Sequence, residues 1–288
     1  MIPHSVKQHI QQTIGQTITD TRQVSGGSIN QAAKVTLADD TVCFLKWNTS
    51  ADPRMFFVEE KGLALLESAD TSLRIPSVLA TGKTDDDTGF FLQEFVVEGH
   101  SKPHSAGDFG RALAQLHKHH NETFGLDHDN FIGRLPQSNT SHERWVDFFI
   151  QERMEPQLQM AVDSGKLGSG AVSSFQNMYK KLPDIFPDEP PSLLHGDLWG
   201  GNYFFDQDGQ ATIYDPAVYY GHREIELAFT HLFGGFASSF YSSYKKAYAL
   251  SPGFSTRKDI YNLYPLLVHT NLFGGSYARQ VEGIVKQF

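Results

Sequence analysis

Asp197, Asn202 and Asp215 are the residues of this chain whose types and spacing best fit a chemistry. Asp197 and Asn202 stand five residues apart, and the run Tyr203-Phe204-Phe205 follows. A turn signal, Asp206-Gln207-Asp208-Gly209, and a second apolar run, Ala211-Thr212-Ile213-Tyr214, then lead to Asp215. Two short strands joined by an Asp-Gly turn fold back on themselves. The hairpin brings Asn202 and Asp215 to one end, with Asp197 just upstream, so three oxygen-bearing side chains converge. Phosphoryl transfer from a nucleotide needs such a set. A carboxylate must orient the acceptor hydroxyl and accept its proton, and oxygen ligands must hold a magnesium ion bridging the phosphates.

An Asp, an Asn five residues on and a further Asp beyond a hairpin is the order of kinase-like catalytic loops. The N-terminal third supplies independent support. Lys46 lies on a strand with apolar residues on both alternating faces, Val42 and Phe44 on one and Cys43 and Leu45 on the other. Such a strand is expected to be buried, and a lysine inside it needs an anionic partner. In a kinase-like lobe that lysine contacts the α- and β-phosphates and pairs with a helix glutamate. Glu59 shares the Phe56, Leu63 and Leu66 face of the next helix, while Glu60 reads as its solvated rival. The glycine-rich "GGSIN", with Gly26, Gly27, Ser28 and Asn30, lies between the first two strands, where backbone amides could approach phosphates.

Other motifs are set aside. "GKT" at Gly82–Thr84 lacks the first glycine of a P-loop and runs into three aspartates, so it reads as a hairpin turn. "GGSYA" at Gly274–Ala278 is a near miss to a nucleophile elbow, but no histidine follows Ser276. His117, His119 and His120 lack a zinc spacing.

The elements that must position these residues form two groups. Residues 19–97 read as five antiparallel strands with one helix inserted after the third. From about residue 104 long helices take over, at 105–120, 141–164, 170–182, 224–249 and 256–271. The expectation is a two-lobed α+β fold with an N-lobe at 1–97, a mainly helical C-lobe at 98–288, a short connector at 94–99 and a cleft between. Val6, Ile10, Ile14 and Ile18 predict an amphipathic N-terminal helix rather than a signal peptide. With 288 residues, 40% of them hydrophobic and 20% charged, the chain has the composition of a globular protein. A net charge of −9 argues against a nucleic-acid partner, and no apolar run reaches membrane-spanning length. Cys43 is the only cysteine, which excludes an intrachain disulfide. The expectation is a soluble cytoplasmic protein, a monomer or weak dimer, with no membrane partner.

On these residues the sequence resembles the fructosamine kinase (ketosamine-3-kinase) family, within the aminoglycoside-phosphotransferase and protein-kinase-like fold. "GGSIN", "FLKWN" and "MFFVEEKGL" resemble its N-terminal lobe. "FGLDHDNFIGRLPQSNT" and "RMEPQL" resemble an insert particular to the family. "LLHGDLWGGN", "IYDPAVYYGHREIELAFTHLFGGF" and "HTNLFGGSY" resemble its C-lobe. The Trp after HGDL, DPA in place of DFG, and GHRE separate it from small-molecule kinases in general.

The resemblance implies ATP- and Mg²⁺-dependent phosphorylation of the 3-hydroxyl of ketosamines, free or protein-linked. This modification destabilises the adduct and regenerates the amine. It implies Asp197 as catalytic base, Asn202 and Asp215 as magnesium ligands, and Lys46 with Glu59 as the phosphate-positioning pair. The Glu94 carbonyl and the Val96 amide would hydrogen-bond adenine. For Trp199 two roles stay open, stacking on the sugar or filling the core. His195 organises backbone, and His269 and Asn271 face the acceptor pocket. The insert around 125–141 closes over the acceptor. Three positions depart from the family pattern: Ser28 where some members have cysteine, Gly200 where serine is common, and Val268 where many have asparagine. Two other readings remain, a kinase of the same fold acting on an aminoglycoside, choline or another amino alcohol, and a nucleotide-binding module without catalysis.

Overall fold

Alternating apolar residues build one antiparallel sheet from the first third of the chain. The structure is a computed structural model that describes residues 1–24 and 30–288. After helix α1 (His4–Ile14), strands β1 (Ile18–Gln23), β2 (Gln31–Leu37) and β3 (Val42–Asn48) precede helix α2 (Arg54–Ser68). Strands β4 (Val78–Lys83) and β5 (Gly89–Glu94) follow. The strands pair antiparallel in the order β1-β2-β3-β5-β4. Their period of two sends Val35, Cys43, Leu45 and Leu92 to one face, where Val6 and Ile10 of α1 cover them. Phe91 goes to the other face and packs with Phe56 and Leu63 of α2.

The first helix is shorter than its periodicity predicts. Gly15 takes φ +71° and caps α1, and Ile18 opens β1 instead of a further helical turn. A glycine in the left-handed region ends a helix whatever the spacing beyond it.

Helix α2 outruns the sheet it covers. Leu66 near its C-terminus, with Ala69 and Leu73 beyond, joins Leu193, Leu198 and Ile213 of the C-lobe in one core. The helix that carries Glu59 is therefore embedded at one end in the lobe that carries Asp197.

The C-lobe begins with α3 (Ser105–Leu116) and a small hairpin of β6 (Asn130–Ile132) and β7 (Leu135–Gln137). The helix expected over 141–164 is α4 (Trp145–Phe148), a π-helical stretch (Phe149–Met154) and α5 (Glu155–Asp163) in succession. Helices α6 (Gly170–Tyr179) and α7 (Leu182–Ile185) lead to β8 (Ser192–Leu194), the hairpin β9 (Tyr203–Phe205) and β10 (Ala211–Ile213), and β11 (Tyr219–Gly221). The helix expected over 224–249 is two, α8 (Arg223–Thr230) and α9 (Ser238–Ala247). Between them Gly234 and Gly235 adopt φ +101° and +74°, and consecutive left-handed residues cannot continue a right-handed helix. The long α10 (Phe254–Phe273) is buried around most of its circumference, and α11 (Ser276–Val285), absent from the sequence expectation, closes the chain. Among the described residues no helix is long and apolar enough to cross a membrane.

Candidate active site

The stretch after β8 is held by hydrogen bonds at every turn. Asn202 Nδ2 donates to the backbone oxygen and Oδ2 of Asp197, each at 2.9 Å. The β9–β10 hairpin forms in the expected register, Tyr203 opposite Ile213, and its Asp206–Gly209 turn closes with a 2.9 Å backbone bond. At the hairpin's base the Tyr214 amide donates to the Asn202 carbonyl at 3.2 Å, which sets Asp215 one residue beyond Asn202's neighbour. His195 organises backbone, as the sequence suggests. Its Nδ1 accepts from the Asp197 amide at 3.3 Å, so its Nε2–H donates to the Tyr214 carbonyl at 3.0 Å. Burial depresses the basicity of this imidazole.

Lys46 is buried in β3 between two carboxylates. Its Nζ donates to Glu59 Oε1 and, at 2.6 Å, to Asp215 Oδ1, and it lies 4.8 Å from the centre of the Phe91 ring. Glu59 is thus the inward glutamate of α2, and Glu60 makes no such contact in the pair. One cation serves two anions here. Burial pushes the Glu59 carboxyl up to about 7 and Asp215 adds to it, against the attraction of Lys46. Burial would lower Lys46, but Asp215 and Glu59 together raise it, so the ammonium stays charged. The Asp215 side chain keeps 46% of its exposure, so it can engage a solute, while the Lys46 side chain is almost wholly enclosed.

Asp197 lies next to a second carboxylate that the motif search missed. Glu226, fully enclosed in α8, takes the Gly196 amide on Oε1 at 2.7 Å and the His195 amide on Oε2 at 3.3 Å. His117 Nε2 donates to the same Oε2 at 2.8 Å, and its Nδ1 accepts from the Tyr244 hydroxyl at 2.8 Å. Burial alone would raise Glu226, but the hydrogen bonds from His117 and the Gly196 amide hold it below the usual carboxylate range. Asp197 moves the other way. Its own desolvation and the Asp215 charge raise it well above that range, against the Asn202 hydrogen bond.

A narrow pocket opens beside Asp197, lined by Ile132, Tyr219, Glu226, Tyr264, Val268 and His269 among others. The insert reaches it through Ile132, because buried amides fasten β6 and β7 to the strand after Asp215. Asn130 Nδ2 donates to the Val218 carbonyl at 2.8 Å, and Gln137 Nε2 to Asn130 Oδ1 at 2.7 Å and the Ala217 carbonyl at 3.1 Å. His269 is part of the pocket lining. Its Nδ1–H donates to the Pro265 carbonyl at 2.7 Å, which leaves Nε2 as an acceptor. Asn271 is not. Its Nδ2 donates to the backbone oxygen and Oε1 of Gln157 at 2.9 and 2.8 Å, so it ties α10 to α5 and does not line the cavity. Trp199 is half-buried with its ring folded over Gly201, and it meets Phe233, which meets His269 at 4.8 Å. Neither of its two expected roles is displaced by that position.

Asn202 spends its amide nitrogen on Asp197, which leaves its carbonyl oxygen and the second oxygen of Asp215 as hard donors at the cleft. Such donors suit magnesium rather than a soft metal. Among the described residues no group of three or more His, Cys, Asp or Glu could hold a metal by itself, so a cation here would depend on oxygens brought by a solute. Asn30 Oδ1 accepts from Asn48 Nδ2 at 3.0 Å, which places it at the end of β3. Gly26, Gly27 and Ser28 lie outside the described residues. Glu94 ends β5 and Val96 follows on the connector. The Glu94 carboxylate is taken by Arg74, a residue that no motif singled out.

The family model described as fructosamine kinase matches residues 2–288. A probable ketoamine kinase of Vibrio parahaemolyticus is 38% identical over 266 residues, covering 92% of this chain and 91% of its own. A chloroplastic protein-ribulosamine 3-kinase of Arabidopsis thaliana is 35% identical over 278 residues, covering 94% of this chain and 83% of its own. The crystal structure of a candidate fructosamine-3-kinase from Thermobifida fusca superposes with a TM-score of 0.88 at 32% identity, covering 99% of this chain and 98% of that one. An aminoglycoside phosphotransferase with bound AMP-PNP and hygromycin B superposes with a TM-score of 0.65 at 17% identity, covering 98% of each chain, and shares the fold alone.

Proposed function

The chain belongs to the fructosamine kinase family, and on that premise we propose that it transfers the terminal phosphoryl group of ATP to the 3-hydroxyl of ketosamines. The acceptors are ribulosamine- or fructosamine-type adducts of free or protein-linked amines, and their phosphorylation destabilises the adduct and releases the amine. One observation carries the reading. Asn202 bonds Asp197 at the mouth of a cavity, while Asp215, next in the same hairpin, bonds the buried Lys46.

Each residue then has a task. Asn202 fixes Asp197 through Oδ2, which leaves Oδ1 to take the proton of the acceptor hydroxyl. A carboxyl raised by burial is a stronger base than one in water, and general-base groups of this kind contribute roughly 10²–10⁴-fold. Lys46, held by Glu59, directs its ammonium toward the phosphates. Asn202 and Asp215 would hold magnesium, which supplies charge neutralisation on the phosphates. Glu94 and Val96 would offer backbone groups to adenine, and the rings of Trp199, Phe233 and His269 would border the acceptor.

The test is ADP release with Mg-ATP and ribuloselysine, with kanamycin and choline in parallel. Turnover on ribuloselysine, lost in Asp197→Asn, is the expected result. Turnover on kanamycin or choline alone would discard the ketosamine assignment and keep the mechanism. ATP binding with no turnover on any acceptor would leave a module without catalysis.

A further inference from the structure

Arg74 sits in the loop between α2 and β4 and touches both the end of β5 and the turn of the β9–β10 hairpin. Its Nη2 donates to Glu94 Oε1 at 2.5 Å, at the point where β5 becomes the connector. Its Nη1 donates to Asp206 Oδ2 at 3.0 Å, in the turn of the β9–β10 hairpin. Asp206 is buried and held on its other oxygen by the Asp208 and Gln210 amides, each at 2.9 Å. The Arg74 backbone docks on the same hairpin, taking the Ala211 carbonyl at 2.8 Å and giving its own carbonyl to the Ile213 amide at 3.1 Å. Gln210 Nε2 adds a bond to the Ser72 carbonyl at 3.0 Å.

We propose that Arg74 is a positioning residue for the nucleotide, fixing the spacing between the adenine-side connector at Glu94 and the hairpin that bears Asn202 and Asp215. The inference rests on the ATP-dependent reading above. A guanidinium is suited to the task because its planar fork presents separate N–H edges to the two carboxylates in fixed directions. Arg74 makes its bond at Glu94, ahead of the connector's own backbone tie to the hairpin, the Gly99 amide to the Phe205 carbonyl at 2.8 Å, so it sets the direction in which β5 enters the connector. The contact is partly exposed, with 35% of the Arg74 side chain accessible, so its value for overall stability is small. Its geometric value is separate from that.

Calorimetric titration with Mg-ATP, without acceptor, reads the effect directly on the wild type, Arg74→Met, Glu94→Gln and the double variant. Arg74→Met is expected to weaken Mg-ATP about tenfold, and the double variant to be no weaker than Arg74→Met, because both remove one coupling. In turnover the loss should fall on KM for ATP, with kcat at saturation changing by about twofold or less. Arg74→Lys should recover part of the affinity. A clip that is only structural would lower the unfolding temperature of Arg74→Met and leave the dissociation constant at the wild-type value, which overturns the inference. If Arg74→Met does not fold, Glu94→Gln and Arg74→Lys carry the same comparison. A wild type that binds no Mg-ATP removes the functional reading and this inference together. A wild type that binds and phosphorylates ketosamines, with variants that bind equally well, removes only the inference.

Discussion

Glu226 holds the Gly196 amide at 2.7 Å, one peptide before Asp197. The residue borders the pocket, but both its oxygens are already engaged by buried donors, unlike those of a base. It sets the direction of the peptide that leads into Asp197, and His117 and the His195 amide complete its shell. Glu226→Ala would leave two buried amides and an imidazole without their acceptor. A loss of about 3–5 kcal/mol of stability is expected, the scale for removing one partner of a buried pair. Urea unfolding measures it, and a loss below about 1 kcal/mol would mean that the loop holds itself.

Asp197→Asn separates activity from stability. Activity should drop by roughly 10²–10⁴-fold. The native Asp197 carboxyl is raised above its unfolded value, so its contribution to stability is complete below the unfolded pKa and is lost as pH rises through the folded one. Asparagine has no charge to bury. The variant should therefore melt above the wild type at about pH 8, with the gap closing toward about pH 4. Parallel melting curves that never converge would contradict the assignment.

Lys46→Met leaves Glu59 and Asp215 facing each other without a cation. The expected destabilisation is about 3 kcal/mol, at the low end for a broken buried pair because Asp215 is partly exposed. Adding Glu59→Leu should restore part of that loss, since the second buried charge goes too. Strict additivity of the two substitutions would show that the residues do not share a network.

Two glycines of the same loop should respond in opposite ways. At Gly196, φ is +84° and a Cβ would lie 2.0 Å from the Ala217 carbonyl oxygen. Gly196→Ala is expected to cost about 3 kcal/mol or more and to abolish activity. Gly200 has open space around it, so Gly200→Ser should stay within about 0.5 kcal/mol and keep turnover. Thermal unfolding and ADP release on both variants check the contrast.

The parts of the site that were legible in the sequence are those built by short-range geometry. Asn202 and Asp215 meet because a hairpin with a fixed turn must bring its ends together. Glu59 could be chosen over Glu60 because Phe56, Leu63 and Leu66 mark the buried face of α2. Lys46 stood out because its strand was too apolar to lie at the surface. Where the pattern gave no face, the reading failed. Helix α10 is buried nearly all round and mixes polar with apolar residues on its faces, so periodicity could not say which polar side chain met the pocket, and His269 did while Asn271 bonded Gln157. Glycine effects were also underweighted, at Gly15 and at Gly234-Gly235.

The sequence by itself determined the two-lobed plan, the convergence of Asp197, Asn202 and Asp215, and the buried lysine pair, because local hydrophobic period, turn chemistry and charge burial each leave a mark on neighbouring residues. Only the tertiary structure decided Glu226, His117 and Arg74. Their partners, Gly196, Tyr244 and Asp206, are 30, 127 and 132 residues away. A charged side chain at such a distance from its partner has no periodicity or motif to betray it. Its role exists only once packing has withdrawn the pair from water and given each charge one place to go.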